Sequence, residues 1–242
     1  MGSTRLPGKT LEPLGETTVL GSVIDRLEMA SSVGQVILAT TTEDEDDAIV
    51  GHFTHRLPVV RGDHQDVLSR FVKASELADH ETLLRVTADC PFIDPLIVDL
   101  AVETVTSHAY DYVGTDIDGR FLHGLDVEAF SHTVLVASLK FAVSEPDREH
   151  VTPAIYRNPD QFSIGAIPAP EWARRPDLRL TIDEPEDLAL ARAILSIDPS
   201  LATKSAEKVI ALLDANPPLR AINAVVEHKI SPVEGFRAAD TQ

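Results

Sequence analysis

Two aspartates stand just after short apolar runs: Asp89 behind TLLRVT (residues 82–87) and Asp183 behind LRLTI (residues 178–182). Paired carboxylates delivered from separate strand ends are what a magnesium ion on a nucleoside triphosphate requires, since a hard cation takes oxygen donors. Either aspartate alone reads as an N-cap for the helix after it, and Asp183 in front of EPED is placed to do that. A second pair points to an anion. Arg5 and Lys9 are spaced to converge on one ligand within GSTRLPGKTLEPLG (residues 2–15), a stretch that otherwise reads as a solvated terminal loop. With only 21 Lys and Arg against 39 Asp and Glu, two cations in so short a loop stand out. Taken together, the four charges favour a site over four separate structural roles.

The elements that must position them alternate between short β-branched runs and longer helical periodicities. Strands are expected near residues 35–41, 57–60, 82–87, 111–115, 127–130, 162–167 and 178–182. Helices are expected near 44–55, 64–78, 96–107, 134–143, 149–156, 185–195, 202–215 and 219–228. The alternation predicts an α/β fold, a three-layer α/β/α sandwich around a mostly parallel sheet. One domain over residues 1–242 is expected, with an acceptor-binding or lid insertion near 115–170 and C-terminal helices near 202–228. In such sheets ligands sit at the carboxyl ends of the strands, so the loops after Thr41, Thr87 and Ile182 draw attention.

A net charge of −18 argues against nucleic acid or an anionic membrane as a partner, both of which need a basic face. A small anionic ligand stays open, held by local cations or bridged by a metal. One cysteine, Cys90, excludes a disulfide framework and fits a reducing cytoplasm. No apolar run approaches the roughly 18 residues of a membrane span, and the first residues carry no signal-peptide pattern. The expectation is a soluble cytoplasmic protein.

Seven motifs then occur in order: GSTRLPGK, ATTTEDEDD, RGDHQDVLSRF, RVTADCPFIDP, HGLDVEAF, DREHVTP and LTIDEPEDL. Together they resemble the spore-coat-polysaccharide-type cytidylyltransferases, relatives of the CMP-acylneuraminate and CMP-Kdo synthetases, over about residues 1–230. The resemblance implies a Rossmann-like fold of the nucleotide-diphospho-sugar transferase type. It also implies Mg²⁺-dependent transfer of CMP from CTP to an acidic sugar, with release of pyrophosphate. By the same resemblance the backbone of Gly2, Ser3, Thr4 and Gly8 wraps the triphosphate, Arg5 and Lys9 neutralise its outer phosphates, and Asp89 and Asp183 hold the metal. Thr40 and Thr41 fall near the ribose or base, with a helix-capping role for Asp44 or Asp46 as the competing reading. Arg61, Gly62, Asp66 and Arg70 match the base-reading segment, although Asp66 and Arg70 at i and i+4 would also make an ordinary surface ion pair. His123, Asp126 and Glu128 match the acceptor side, and strand alternation puts the last two on one face. Arg148 and His150 would take the acceptor's carboxylate or phosphonate, unless they belong to a capping network around Glu149. Cys90 reads as a small buried side chain.

The base and the acceptor are open on the sequence alone. Another nucleotide, a phosphonate or non-sugar acceptor, or a non-catalytic nucleotide- or sugar-binding module are the alternatives, and a homodimer is admitted. The resembled family also has an apolar strand directly before its glycine-rich loop, where this sequence has Met1. The expectation from that break is a start assigned too late in a longer natural protein.

Overall fold

The computed structural model describes residues 5–107 and 110–227. The chain enters through a turn into a 3-10 helix over Lys9–Leu11, and a small hairpin then pairs β1 (Pro13–Leu14) with β2 (Thr17–Thr18). Helix α1 (Val19–Glu28) follows, capped by the Thr18 hydroxyl, which accepts from the Gly21 N–H. Its buried Val19, Leu20, Val23 and Ile24 recur at helical spacing. This helix is not among the elements expected from the sequence.

Strand β3 (Leu38–Thr41), helix α2 (Asp47–Phe53) and strand β4 (Val59–Gly62) make a β-α-β unit, with Leu38 opposite Val59 and Thr41 opposite Gly62 in parallel register. Helix α3 (Val67–Ser75), strand β5 (Thr82–Val86), helix α4 (Pro95–Ser107) and strand β6 (Tyr112–Gly114) continue the alternation. Then come β7 (Val127–Ser131), α5 (His132–Ser138), α6 (Glu145–His150), α7 (Pro153–Tyr156) and β8 (Ile164–Ala166). Helices α8 (Pro185–Ile197), α9 (Ala206–Ala215) and α10 (Pro217–Arg220) close the described chain.

Among the described residues, β5 to β8 form one four-stranded sheet in the order β5-β7-β6-β8. The sheet is mixed, which corrects the expectation of mostly parallel pairing. β6 and β8 run parallel, but β7 is antiparallel to both β5 and β6. The return from β6 to β7 holds a 3-10 turn over Thr115–Ile117 and a loop, with no crossover helix of the kind that usually carries the chain back to a parallel neighbour. Other expected elements are shorter or divided. The strand expected at residues 178–182 is reduced to a bridge between Arg179 and His123. The helix expected at 149–156 is split into α6 and α7 at Val151, whose φ of 72° no helix tolerates. Of the helix expected at 219–228, the described part is α10 followed by a 3-10 turn over Ala221–Asn223.

Apolar residues cover both faces of the four-stranded sheet. On one face Val113, Val127 and Ala129 pack with Ile97, Val98 and Ala101 of α4, and with Leu188 and Ala191 of α8. On the other, Tyr112 and Phe130 pack with Val134, Leu135 and Ile155 of α5 and α7. Helices on both faces make this an α/β layered fold. The β3–β4 pair is separate: an apolar cavity of about 690 Å³ lies between β3 and β5, lined by Val23, Ile24, Leu38, Leu84, Val86 and neighbours. No described strand bridges that gap.

Candidate active site

The site assembles where two loop segments lie against one another. The Ile182 N–H donates to the Asp89 carbonyl oxygen at 2.8 Å, which brings the loop after β5 alongside the approach to α8. The same approach is held from its other side by the 122–124 segment, where the His123 N–H donates to Leu178 and the His123 carbonyl accepts from Leu180. Gly124 makes this possible. Its φ is +108°, and a Cβ there would come within 2.5 Å of the Thr181 backbone nitrogen.

Neither aspartate caps a helix. Glu184 is the N-cap of α8, paired with Asp187 in a capping box behind Pro185, and the Asp94 carboxylate takes the Leu96 N–H at the start of α4. The carboxylates of Asp89 and Asp183 are therefore left to face each other, and the cation between them is Lys9. Its Nζ lies 2.6 Å from Asp89 Oδ2, 2.9 Å from Asp183 Oδ1 and 2.7 Å from the Ile182 carbonyl oxygen. Burial alone would lower the pKa of this ammonium, but the charges and hydrogen bonds of the two aspartates carry it above its usual value. Lys9 reaches this position from a 3-10 turn opened by Gly8 in the left-handed conformation, φ 74°. Arg5 adds a second positive charge, with Nη1 2.7 Å from Glu184 Oε1 and Nη2 3.3 Å from Asp183 Oδ2. Gly2, Ser3 and Thr4 lie outside the described residues.

Two residues not singled out in the sequence complete this cluster. Arg179, almost fully buried, places Nη2 2.6 Å from Asp183 Oδ2 and Nε 3.0 Å from Asp187 Oδ1. Asp187 also accepts from the Asp183 and Glu184 backbone N–H groups and from Asn223 Nδ2. Burial opposes ionisation of Asp183, yet Lys9 and Arg179 outweigh it and lower its pKa to about 2. Asp89 and Asp183 are thus both aimed at one point already occupied by a positive charge. Among the described residues no set of three or more His, Cys, Asp or Glu comes together to hold a metal unaided. Two carboxylates, with other positions left to phosphate oxygens and water, match the donor preference of a hard divalent cation.

The nucleoside-side candidates gather at the ends of β3 and β4. Thr40 and Thr41 are buried, and both hydroxyls donate to Asp46 Oδ2 at 2.6 Å, joined by the Thr41 N–H at 3.0 Å. Those hydrogen bonds overcome burial and hold the Asp46 carboxyl well below the usual carboxylate range. Neither Asp44 nor Asp46 makes a side-chain cap on α2. Arg61 straps the next loop, donating to the carbonyls of Thr41 and Glu43 and pairing with Asp47. Gly62 ends β4 and accepts from the Thr42 N–H. A cavity of about 580 Å³ opens here, lined by Thr41, Thr42, Asp46, Asp63, His64 and Gln65 among others. Asp66 caps α3 through the Ser69 N–H and pairs with Arg148 at 3.2 Å, not with Arg70. Arg70 is buried instead, with Nε and Nη1 making no hydrogen bond among the described residues.

On the acceptor side, Glu128 is fully engaged. Its Oε2 pairs with Arg85 opposite it on β5, while Oε1 accepts from the Tyr112 and Thr152 hydroxyls. Asp126 lies one residue before β7, accepts from the Gly124 N–H at 3.0 Å, and is pushed up in pKa by burial. Cys90 packs beneath these groups, its thiol raised well above the usual range by burial. His150 ends α6 next to the strained Val151, which aims Thr152 at Glu128.

The sequence matches the Cytidylyltransferase family over residues 1–215. It is 35% identical over 229 residues to an uncharacterized protein of Methanocaldococcus jannaschii, covering 94% of this chain and 93% of that one. It is 33% identical to the spore coat polysaccharide biosynthesis protein SpsF of Bacillus subtilis, covering 90% and 92%. The fold superposes on a cytidylyltransferase from Leptospira borgpetersenii with a TM-score of 0.85 at 29% identity, over 94% of this chain and 95% of the other. CMP:2-keto-3-deoxy-manno-octonic acid synthetase, solved with CTP, shares the fold at a TM-score of 0.58 and 16% identity, over 81% and 95%. No described helix is long and apolar enough to cross a membrane.

Proposed function

Because this chain belongs to the cytidylyltransferase family, and is a nucleotidyltransferase, we propose that it transfers CMP from CTP to an acidic sugar and releases pyrophosphate, with Mg²⁺ as cofactor. The observation that carries this reading is the convergence of Asp89, in the loop after β5, and Asp183, on the approach to α8, on one cation beside Arg5 and Arg179. When bound, the metal would supply charge neutralisation and in-line orientation at the α-phosphate. Asp89 and Asp183 would hold it. Lys9 and Arg5 would meet the outer phosphates and stabilise the charge that collects on departing pyrophosphate.

The cavity at the ends of β3 and β4 supports a base and ribose position; Arg70, packed against Gly62 at the end of β4, holds Nε and Nη1 buried without a hydrogen-bond partner among the described residues. For the acceptor, Glu128 is engaged by three partners and serves to hold Arg85, so sugar hydroxyls would fall to His123 and Asp126, with His150 beside Arg148 for the acidic group. Arg148 offers the guanidinium for the acidic group, at the expense of its pair with Asp66.

The test is pyrophosphate release from CTP, UTP, GTP and ATP with and without Mg²⁺, over a panel of acidic sugars, phosphonates and neutral sugars. Thermal melting with each nucleotide runs alongside. Ligand at 100 times its dissociation constant adds about 2.7 kcal/mol, which raises Tm by about 5–10 °C for a domain of this size. A Mg²⁺-dependent shift selective for CTP, with turnover on an acidic sugar, is the expected result. Selective turnover with another nucleotide or a neutral acceptor would replace the substrate assignment.

A further inference from the structure

The ammonium of Lys9 has three N–H bonds and three acceptors within 2.9 Å: Asp89 Oδ2, Asp183 Oδ1 and the Ile182 carbonyl oxygen. Its hydrogen-bonding capacity is therefore spent on the very groups that would hold a divalent cation. Only 12% of its side chain is exposed, so water does little to weaken the pairs. A divalent ion entering between these carboxylates would sit at contact distance from a like charge, and it would compete for the same oxygen atoms.

We propose that Lys9 is a tethered counter-cation of the Asp89–Asp183 pair, so that a divalent ion enters together with a triphosphate and not ahead of it. The inference rests on the nucleotidyltransferase reading of this site and adds an order of assembly to it. A triphosphate supplies what free metal lacks: phosphate oxygens that can take the Lys9 ammonium as it leaves the carboxylates. The exchange is favourable on both sides, because the divalent ion neutralises both carboxylates and the single positive charge it displaces moves onto the phosphates. Its hinge is at hand, since Lys9 opens the 3-10 turn directly after the left-handed Gly8 and carries its charge on a flexible four-carbon stem. Asp183 would not swing during the exchange. Its other oxygen stays on Arg179, which is locked by Asp187, and Asp187 is held in turn by Asn223. Asp89 has no such arginine: among the described residues its carboxylate accepts from Lys9 at 2.6 Å and from the weak Cys90 thiol donor at 3.7 Å, so Lys9 is its main anchor.

The test uses Mn²⁺ as the probe, with bound and free ion distinguished by electron paramagnetic resonance on the full chain. Parent, Lys9→Met and Lys9→Met/Asp183→Asn are titrated without nucleotide, and each is checked for folding by thermal melting. Binding of a fluorescent CTP analogue is measured separately on the parent. Without nucleotide, Lys9→Met should bind Mn²⁺ at least about tenfold more tightly than the parent, and the added Asp183→Asn should remove that gain. Equal or weaker Mn²⁺ binding by folded Lys9→Met, with CTP binding intact in the parent, would overturn the role of Lys9 and leave the nucleotidyltransferase reading standing. A parent that binds no CTP would overturn both. Should Lys9→Met fail to fold, the parent alone decides: it must hold Mn²⁺ at least about tenfold more tightly with a non-hydrolysable CTP analogue than without, and equal affinity overturns the proposal.

Discussion

Removing one carboxylate should have different consequences at Asp46 and at Asp89. Asp46 is 3% exposed and takes three hydrogen bonds from Thr40 and Thr41, so Asp46→Ala strands two buried hydroxyls and a backbone N–H. The expected cost is about 2–4 kcal/mol in urea unfolding. Asp89→Asn keeps the shape and changes one charge. It should cost about 1–2 kcal/mol in urea unfolding, through the weakened pair with Lys9, while pyrophosphate release falls about 10²–10³-fold. Asp183 has a pH signature besides. Its pKa is lowered from 3.8 to about 2, so its contribution to stability is present above the unfolded value and is lost as pH falls toward the folded one. The difference in unfolding free energy between parent and Asp183→Asn should be flat above pH ~5. It should then shrink by about 2 kcal/mol as pH is lowered toward 2. A difference that grows on acidification would contradict the ion-pair account.

At the scale of the elements, the start of α8 does the most positioning. Asp187 joins the capping box, Arg179 and Asn223, so Asp187→Ala leaves a buried guanidinium without its main partner. It should destabilise by about 3–5 kcal/mol, measured by urea unfolding. Arg179→Met in the same chain should recover part of that loss, because it removes the orphaned charge. Much of this element is legible in the sequence, since Pro185 and the acidic EPED mark a helix start wherever they fall. The roles within it are less so. Asp183 taken alone reads as the cap, yet the cap is Glu184, and a backbone shift of one residue is below what residue types can specify. Arg179 gives no signal, because a charged residue in an apolar run reads as surface until the fold buries it. Helix α1 is obscured by Gly21 and by Val19 and Val23, whose β-branched type favours strands. β7 is legible as a strand and illegible in direction, since alternation is the same read either way. The seven ordered motifs point to the candidate site, while the partnering of Lys9 with two aspartates follows only from folded geometry.

For the whole molecule, the dividing line is the cavity between β3 and β5. Helix α1 spans it, contributing Leu20 and Ile24 to the cluster under β3 and Val19 and Val23 to the main core. No described strand pairing crosses it. The β3–β4 unit should therefore open independently, its amides exchanging with solvent sooner than those of β6 and β7, which hydrogen-exchange mass spectrometry can read. Uniform protection across both units would show that α1 couples them fully. A nucleotide bound as proposed would lie across this seam, with its base at the ends of β3 and β4 and its triphosphate at Asp89 and Asp183. In mechanical language it is a rivet joining two plates. The reaction cuts that rivet between the α- and β-phosphates, so the step that makes the product also releases the stiffness that the substrate brought.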